Sequence, residues 1–124
     1  MGKILIADDE PDIRDLVAFT LRFAGHEVHA VGNGEEALKA APEIMPDLIL
    51  MDVRMPRMTG YEACEKMKAD PRISDIPVVF LSAKGQDTEI RTGLEVGAEE
   101  YLLKPFAPSE LTEKVSELLS KYRK

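Results

Sequence analysis

Four apolar runs in this chain stop at residues able to handle a cation or a phosphoryl group. Lys3–Ala7 runs into Asp8 and Asp9, Leu48–Met51 into Asp52, Ile76–Leu81 into Ser82, and Tyr101–Leu103 into Lys104. Each residue alone has an ordinary explanation: acids solvate loops, a serine ends a strand, a lysine covers surface. Their coincidence is the informative feature. If the runs are strands of one parallel sheet, their carboxyl ends share an edge, and ligands of open α/β sheets gather outside that edge.

The chemistry follows from the residue types. Clustered carboxylates repel one another, and a divalent cation relieves that repulsion. Mg²⁺ fits best, with Mn²⁺ as a substitute, because it takes a few carboxylates, keeps waters and accepts a phosphate oxygen. Cys64 is the single cysteine, and His26 and His29 fall before or on the second run, so a zinc or iron site has little support. A carboxylate beside Mg²⁺ can attack phosphorus and become an aspartyl phosphate. Lys104 would then offer a positive charge, Ser82 a hydroxyl and Ala83 a backbone N–H to the phosphoryl oxygens. Asp52 is the best acceptor, lying between the acid pair and the serine in strand order.

The remaining pattern supplies the elements that must position these groups. Pro11 suits the first position of a helix, and Ile13, Leu16, Val17, Thr20, Leu21 and Ala24 keep helical spacing up to Gly25. Val28–Val31 predicts a second strand nearer a sheet edge. Asn33-Gly34 is a turn, followed by a helix carrying Ala37, Leu38 and Ala41 inward, which Pro42 should end or kink. Gly60 opens a third helix with Ala63, Cys64 and Met67 facing in, closing near Asp70-Pro71. A fourth is expected from about Asp87 to Val96, weakened by Gly93, and a last one from Ser109 with Leu111, Val115, Leu118 and Leu119 buried. Strict alternation of strand and helix predicts a parallel sheet covered on both faces, built as one domain over residues 1–124.

Bulk properties narrow the partners. The chain has 124 residues, and 16 Lys and Arg against 23 Asp and Glu leave a formal net charge of −7. That balance argues against a general nucleic-acid or membrane surface. No stretch reaches membrane-spanning length, and a cytoplasmic location is the default expectation.

The strings ADDE at Ala7–Glu10, LMDVRMPRMTG around Asp52, FLSAK at Phe80–Lys84 and GAEEYLLKPF at Gly97–Phe106 together resemble the receiver domain of bacterial two-component response regulators. The resemblance covers essentially the whole chain. It implies a flavodoxin-like three-layer sandwich, with a five-stranded parallel sheet of order 2-1-3-4-5 and five helices. It implies Asp52 as phosphoacceptor from a sensor histidine kinase or phosphotransfer protein. Asp9, Asp52 and the main-chain carbonyl of Arg54 become Mg²⁺ ligands, with Asp8 assisting largely through water. Ser82 and Lys104 become the phosphoryl partners, and Tyr101 the aromatic switch. Dimerisation would use the fourth helix, fifth strand and last helix, and the output lies in an unknown target or fused domain.

Two positions depart from the commonest family pattern. Arg54 and Lys84 are both basic where the hydrolytic water approaches, which predicts slower loss of the phosphoryl group. The chain is expected to catalyse its own phosphorylation without being a turnover enzyme. The alternatives are a degenerate receiver that only docks and a phosphohydrolase with an Asp nucleophile. The first would be favoured by a missing site residue. The second usually carries a further acid at the position of Arg54.

Overall fold

The structure is a computed structural model that describes residues 2–53, 55, 58–82, 100–103 and 107–122. Five strands are described, with a helix after each of the first three and after the fifth: β1 (Lys3–Ala7), β2 (Glu27–Val31), β3 (Leu48–Asp52), β4 (Val78–Ser82) and β5 (Glu100–Leu103). They form one parallel sheet of order β2-β1-β3-β4-β5. The described helices are α1 (Pro11–Phe23), α2 (Gly34–Ile44), α3 (Gly60–Lys68) and α4 (Pro108–Tyr122). This is the flavodoxin-like α/β arrangement. The helix expected over 87–96 lies outside the described residues.

Strand periodicity divides the core into two apolar layers. Leu5, Ala7, Ile49, Met51, Val78 and Phe80 face one side, packed with Ala37 and Ala41 of α2 and Ala63, Cys64 and Met67 of α3. Ile4, Ile6, Leu48, Leu50, Val79 and Leu81 face the other, packed with Val17 and Leu21 of α1 and Leu111, Val115 and Leu118 of α4. Every residue of β3 is buried, which explains its unbroken apolar run. Tyr61 of α3 meets the buried Phe80 ring edge-on, 5.0 Å between centroids.

Local signals set the helix ends. Asn33 caps α2 by accepting from the Glu36 N–H at 2.8 Å, and Thr59 and Glu62 close a reciprocal capping box on α3. Gly25, at φ 98°, carries the chain away from α1. Three expectations need adjusting. α2 does not stop at Pro42 but runs on to Ile44, and the Met45 N–H still bonds the Ala41 carbonyl at 2.8 Å. A proline so near the end removes one donor without severing the remaining turn. α4 starts at Pro108 rather than Ser109, because proline at the first helical position lacks only an N–H that has no partner there anyway. In α1 the buried stripe is Val17, Ala18 and Leu21, whereas Leu16 is 44% exposed and Phe19 69% exposed. Leu16 falls on the flank of that stripe. Ala24 follows the last helical residue and so leaves the helical phase, which exposes it too.

Candidate functional site

The register of the central strands builds the site. Ala7 pairs with Met51, so Asp8 and Asp52 follow side by side at the ends of β1 and β3. Strand alternation puts Asp8 on the same face as Ile4 and Ile6, and Asp52 on that of Leu48 and Leu50. Two acids therefore end up on one face of adjacent strands, and both are buried: Asp8 fully, Asp52 to within 6%. On the next strand Asp52 pairs with Leu81, one residue short of Ser82, and Ser82 pairs in turn with Leu103. Among the described residues, Asp8, Asp52 and the Ser82 backbone thus fall in one row along the carboxyl edge.

A third acid joins the pair. The Glu10 N–H donates to Asp8 Oδ1 at 2.9 Å, a local turn that folds the chain back after β1. Carboxylate oxygens of Asp8, Glu10 and Asp52 then lie within 4.8 Å of one another. Asp9, the expected direct ligand, is exposed and is not one of these three. Glu10 is the residue that sequence reasoning passed over. Its signal was the spacing itself, since an aspartate often accepts from the N–H two residues on.

The cluster's dimensions suit a hard divalent cation. Mg²⁺–oxygen distances are about 2.1 Å, so ligands on opposite sides of one ion stand roughly 4.2 Å apart. Oxygens spread over no more than 4.8 Å reach around such an ion with small side-chain adjustments or an intervening water. The donor set is all oxygen, which is what Mg²⁺ selects and zinc does not.

The frame around the acids is tightly held. The Asp8 N–H donates to the Val31 carbonyl at 3.2 Å, and the Val53 N–H to the Leu81 carbonyl at 3.3 Å. The Gly60 N–H donates to the Val53 carbonyl at 2.9 Å, which docks the start of α3 directly behind Asp52. A side chain at Gly60 would collide with the Asp52 carbonyl oxygen, so only glycine permits this approach. For Ser82 and Tyr101 the description covers the backbone, and Arg54, Ala83, Lys84 and Lys104 lie outside the described residues. His26 and His29 lie away from the cluster: His26 Nδ1 accepts from the Gly2 N–H at 3.0 Å, and His29 Nε2 meets Glu27 at 2.7 Å.

Comparison with known proteins agrees with this geometry. The model of the response regulator receiver domain family matches residues 4–116. The DNA-binding response regulator MtrA of Mycolicibacterium smegmatis is 39% identical over 113 residues, covering 91% of this chain and 48% of MtrA. Among solved structures, the chemotaxis protein CheY4 of Vibrio cholerae superposes with a TM-score of 0.90 at 35% identity, covering 94% of this chain and 98% of that one. The receiver domain of sensor histidine kinase PA1611 from Pseudomonas aeruginosa, solved with a magnesium ion coordinated in the active-site cleft, gives a TM-score of 0.89 at 29% identity. That match covers 96% of this chain and 98% of that one. The chain spans about half the length of the curated relatives it matches.

Proposed function

This chain belongs to the response regulator receiver domain family, and we propose that Asp52 is its phosphoacceptor, loaded from a sensor histidine kinase or phosphotransfer protein with Mg²⁺ bound among the acids. The observation that carries this reading is the convergence of Asp8, Glu10 and Asp52 at the carboxyl edge. Receiver domains pair with histidine kinases and bind Mg²⁺ at an acidic pocket, and the PA1611 receiver holds magnesium in its cleft. A bound Mg²⁺ supplies positive charge and a ligand position for a phosphoryl oxygen.

The chain's own residues do the rest. An Asp52 carboxylate oxygen forms the new bond to phosphorus while the donor's bond to phosphorus breaks, and the donor leaves with its electron pair. Burial on a strand inside the sheet fixes the attacking oxygen, and positioning is most of the catalysis in phosphoryl transfer. The cation's protein ligands are drawn from Asp8, Asp9, Asp52 and the Arg54 carbonyl, with Glu10 added by the geometry. By position in the sequence, Ser82, the Ala83 N–H and Lys104 receive the phosphoryl oxygens, and Tyr101 reports the movement of Ser82. The modification adds about −1.5 to −2 charges to an acidic edge, and re-pairing around them is what changes the output face. No turnover reaction is assigned.

Intact mass after incubation with acetyl phosphate and Mg²⁺ tests the proposal. A single phosphoryl adduct is expected in the wild type and none in Asp52→Asn. An adduct that survives the substitution would overturn the assignment, and no adduct in the wild type would favour a docking module. Arg54 and Lys84 are proposed to slow loss of the group by screening it from water. Arg54→Asn and Lys84→Glu should each shorten its lifetime severalfold, and unchanged decay of the purified adduct would dismiss that role.

A further inference from the structure

Arg14, in the first turn and a half of α1, sends its guanidinium back to the strand that α1 follows. Its Nη1 donates to the Asp8 main-chain carbonyl at 3.3 Å. That carbonyl belongs to the same peptide unit as the Asp9 N–H, so fixing it fixes the plane from which Asp9 departs. Asp8 is then held at three points: its N–H by the Val31 carbonyl at 3.2 Å, its Oδ1 by the Glu10 N–H at 2.9 Å, and its carbonyl by Arg14. The guanidinium is itself confined. It passes over the turn between β2 and α2, where a methyl group built on Gly32 would stand 3.2 Å from Nη1 and 3.4 Å from Glu36 Oε1. Glu36 Oε1 in turn accepts from the Gly32 N–H at 3.3 Å. A side chain at Gly32 would therefore press on the guanidinium while leaving Glu36 Oε1 in ordinary contact.

We infer that Arg14 is a positioning residue for the cation site, locking the Asp8–Asp9 peptide so that the acids of the β1–α1 turn meet Mg²⁺ in a preset arrangement. Arg14 acts through the Asp8 carbonyl and is assigned no contact with the cation or the phosphoryl group. The inference rests on the Mg²⁺-dependent reading above and adds a residue to it. Loss of an outer-shell partner commonly costs about 10- to 100-fold in metal affinity or activity.

The test is calorimetric Mg²⁺ titration of the unphosphorylated chain, with thermal melting in chelator as the fold control. Wild-type binding must be seen first; its absence would fail the function proposed above rather than the role of Arg14. Arg14→Ala should weaken Mg²⁺ binding roughly tenfold with little change in metal-free melting. Gly32→Val keeps the charge but intrudes on the guanidinium, and it should weaken binding in the same direction. Equal affinity in Arg14→Ala overturns the inference. Weakening in Arg14→Ala with none in Gly32→Val also overturns it, because charge alone would then be responsible.

Discussion

The two edges of the sheet use the same residue types to opposite ends. At the amino edge polar groups close strand starts onto neighbouring backbone: Asp47 Oδ2 accepts from the Lys3 N–H at 2.8 Å, Lys3 Nζ donates to the Ile44 carbonyl at 3.2 Å, and His26 takes the Gly2 N–H. Each of these pairings joins a donor to an acceptor and holds the fold together. At the carboxyl edge, carboxylates of Asp8, Glu10 and Asp52 are drawn within 4.8 Å of each other, two of them buried. Bringing like charges together in a low-dielectric setting costs stability. Among the described residues such clustering occurs at the carboxyl edge, where the proposed cation would relieve it.

The sharpest way to break this contrast is chemical. Asp52→Asn should abolish the acetyl phosphate adduct outright, while Asp47→Asn, at the other edge, should leave it intact. Loss in both variants would mean that the reaction reads overall fold integrity rather than a local site.

The next effect is thermodynamic and opposite in sign at the two edges. A cation that binds only the folded chain stabilises it by about 2.7 kcal/mol at a hundredfold excess over its dissociation constant. Wild-type melting should therefore rise with Mg²⁺. Asp52→Asn should melt higher than wild type in chelator, having lost one repelling charge, and gain less from Mg²⁺. Asp47→Ala should lose about 1 kcal/mol with or without Mg²⁺, the usual worth of one hydrogen bond. A loss in Asp47→Ala that Mg²⁺ repairs would erase the distinction between the edges.

How far the sequence foretold this contrast depends on what each residue had to signal. The alternation of apolar runs with helical spacing specified a parallel sheet, since β3 and β4 read as buried strands on residue type alone, whereas its order followed only from the family resemblance. Asp8 and Asp52 were legible because strand ends in a parallel sheet share an edge. Glu10 was harder: its spacing two residues after Asp8 signals a turn, but not that its carboxylate joins the cluster. Arg14 had no sequence signature, because a long side chain reaching a main-chain carbonyl leaves no periodic trace. The face of α1 was misjudged at Leu16 because Leu16, Phe19 and Phe23 add apolar residues outside the buried stripe, so hydrophobicity alone does not locate the core side.

The finest test of the comparison lies at the amino edge, in the response of His26 to pH. Burial holds the His26 pKa below its ordinary value of 6.5. Accepting the Gly2 N–H adds to this, since Nδ1 must be unprotonated to accept. The unfolded chain therefore takes up this proton before the folded one. Stability is fully retained above the ordinary histidine pKa and falls as the pH drops from there toward the lowered folded value. Glu27, lowered by its hydrogen bond to His29, and Asp70, lowered by its bonds to Arg72, contribute stability that is lost only as pH falls through the acid range beneath it. In His26→Gln the side-chain carbonyl can still accept from Gly2 but cannot titrate. Urea midpoints should thus decline less between pH 7 and pH 5.5 in the variant than in the wild type, with the Mg²⁺ affinity of the two equal at pH 7. Matching declines would remove His26 as a pH-sensitive clasp of the amino edge, and a shared loss of Mg²⁺ affinity would show the two edges to be coupled.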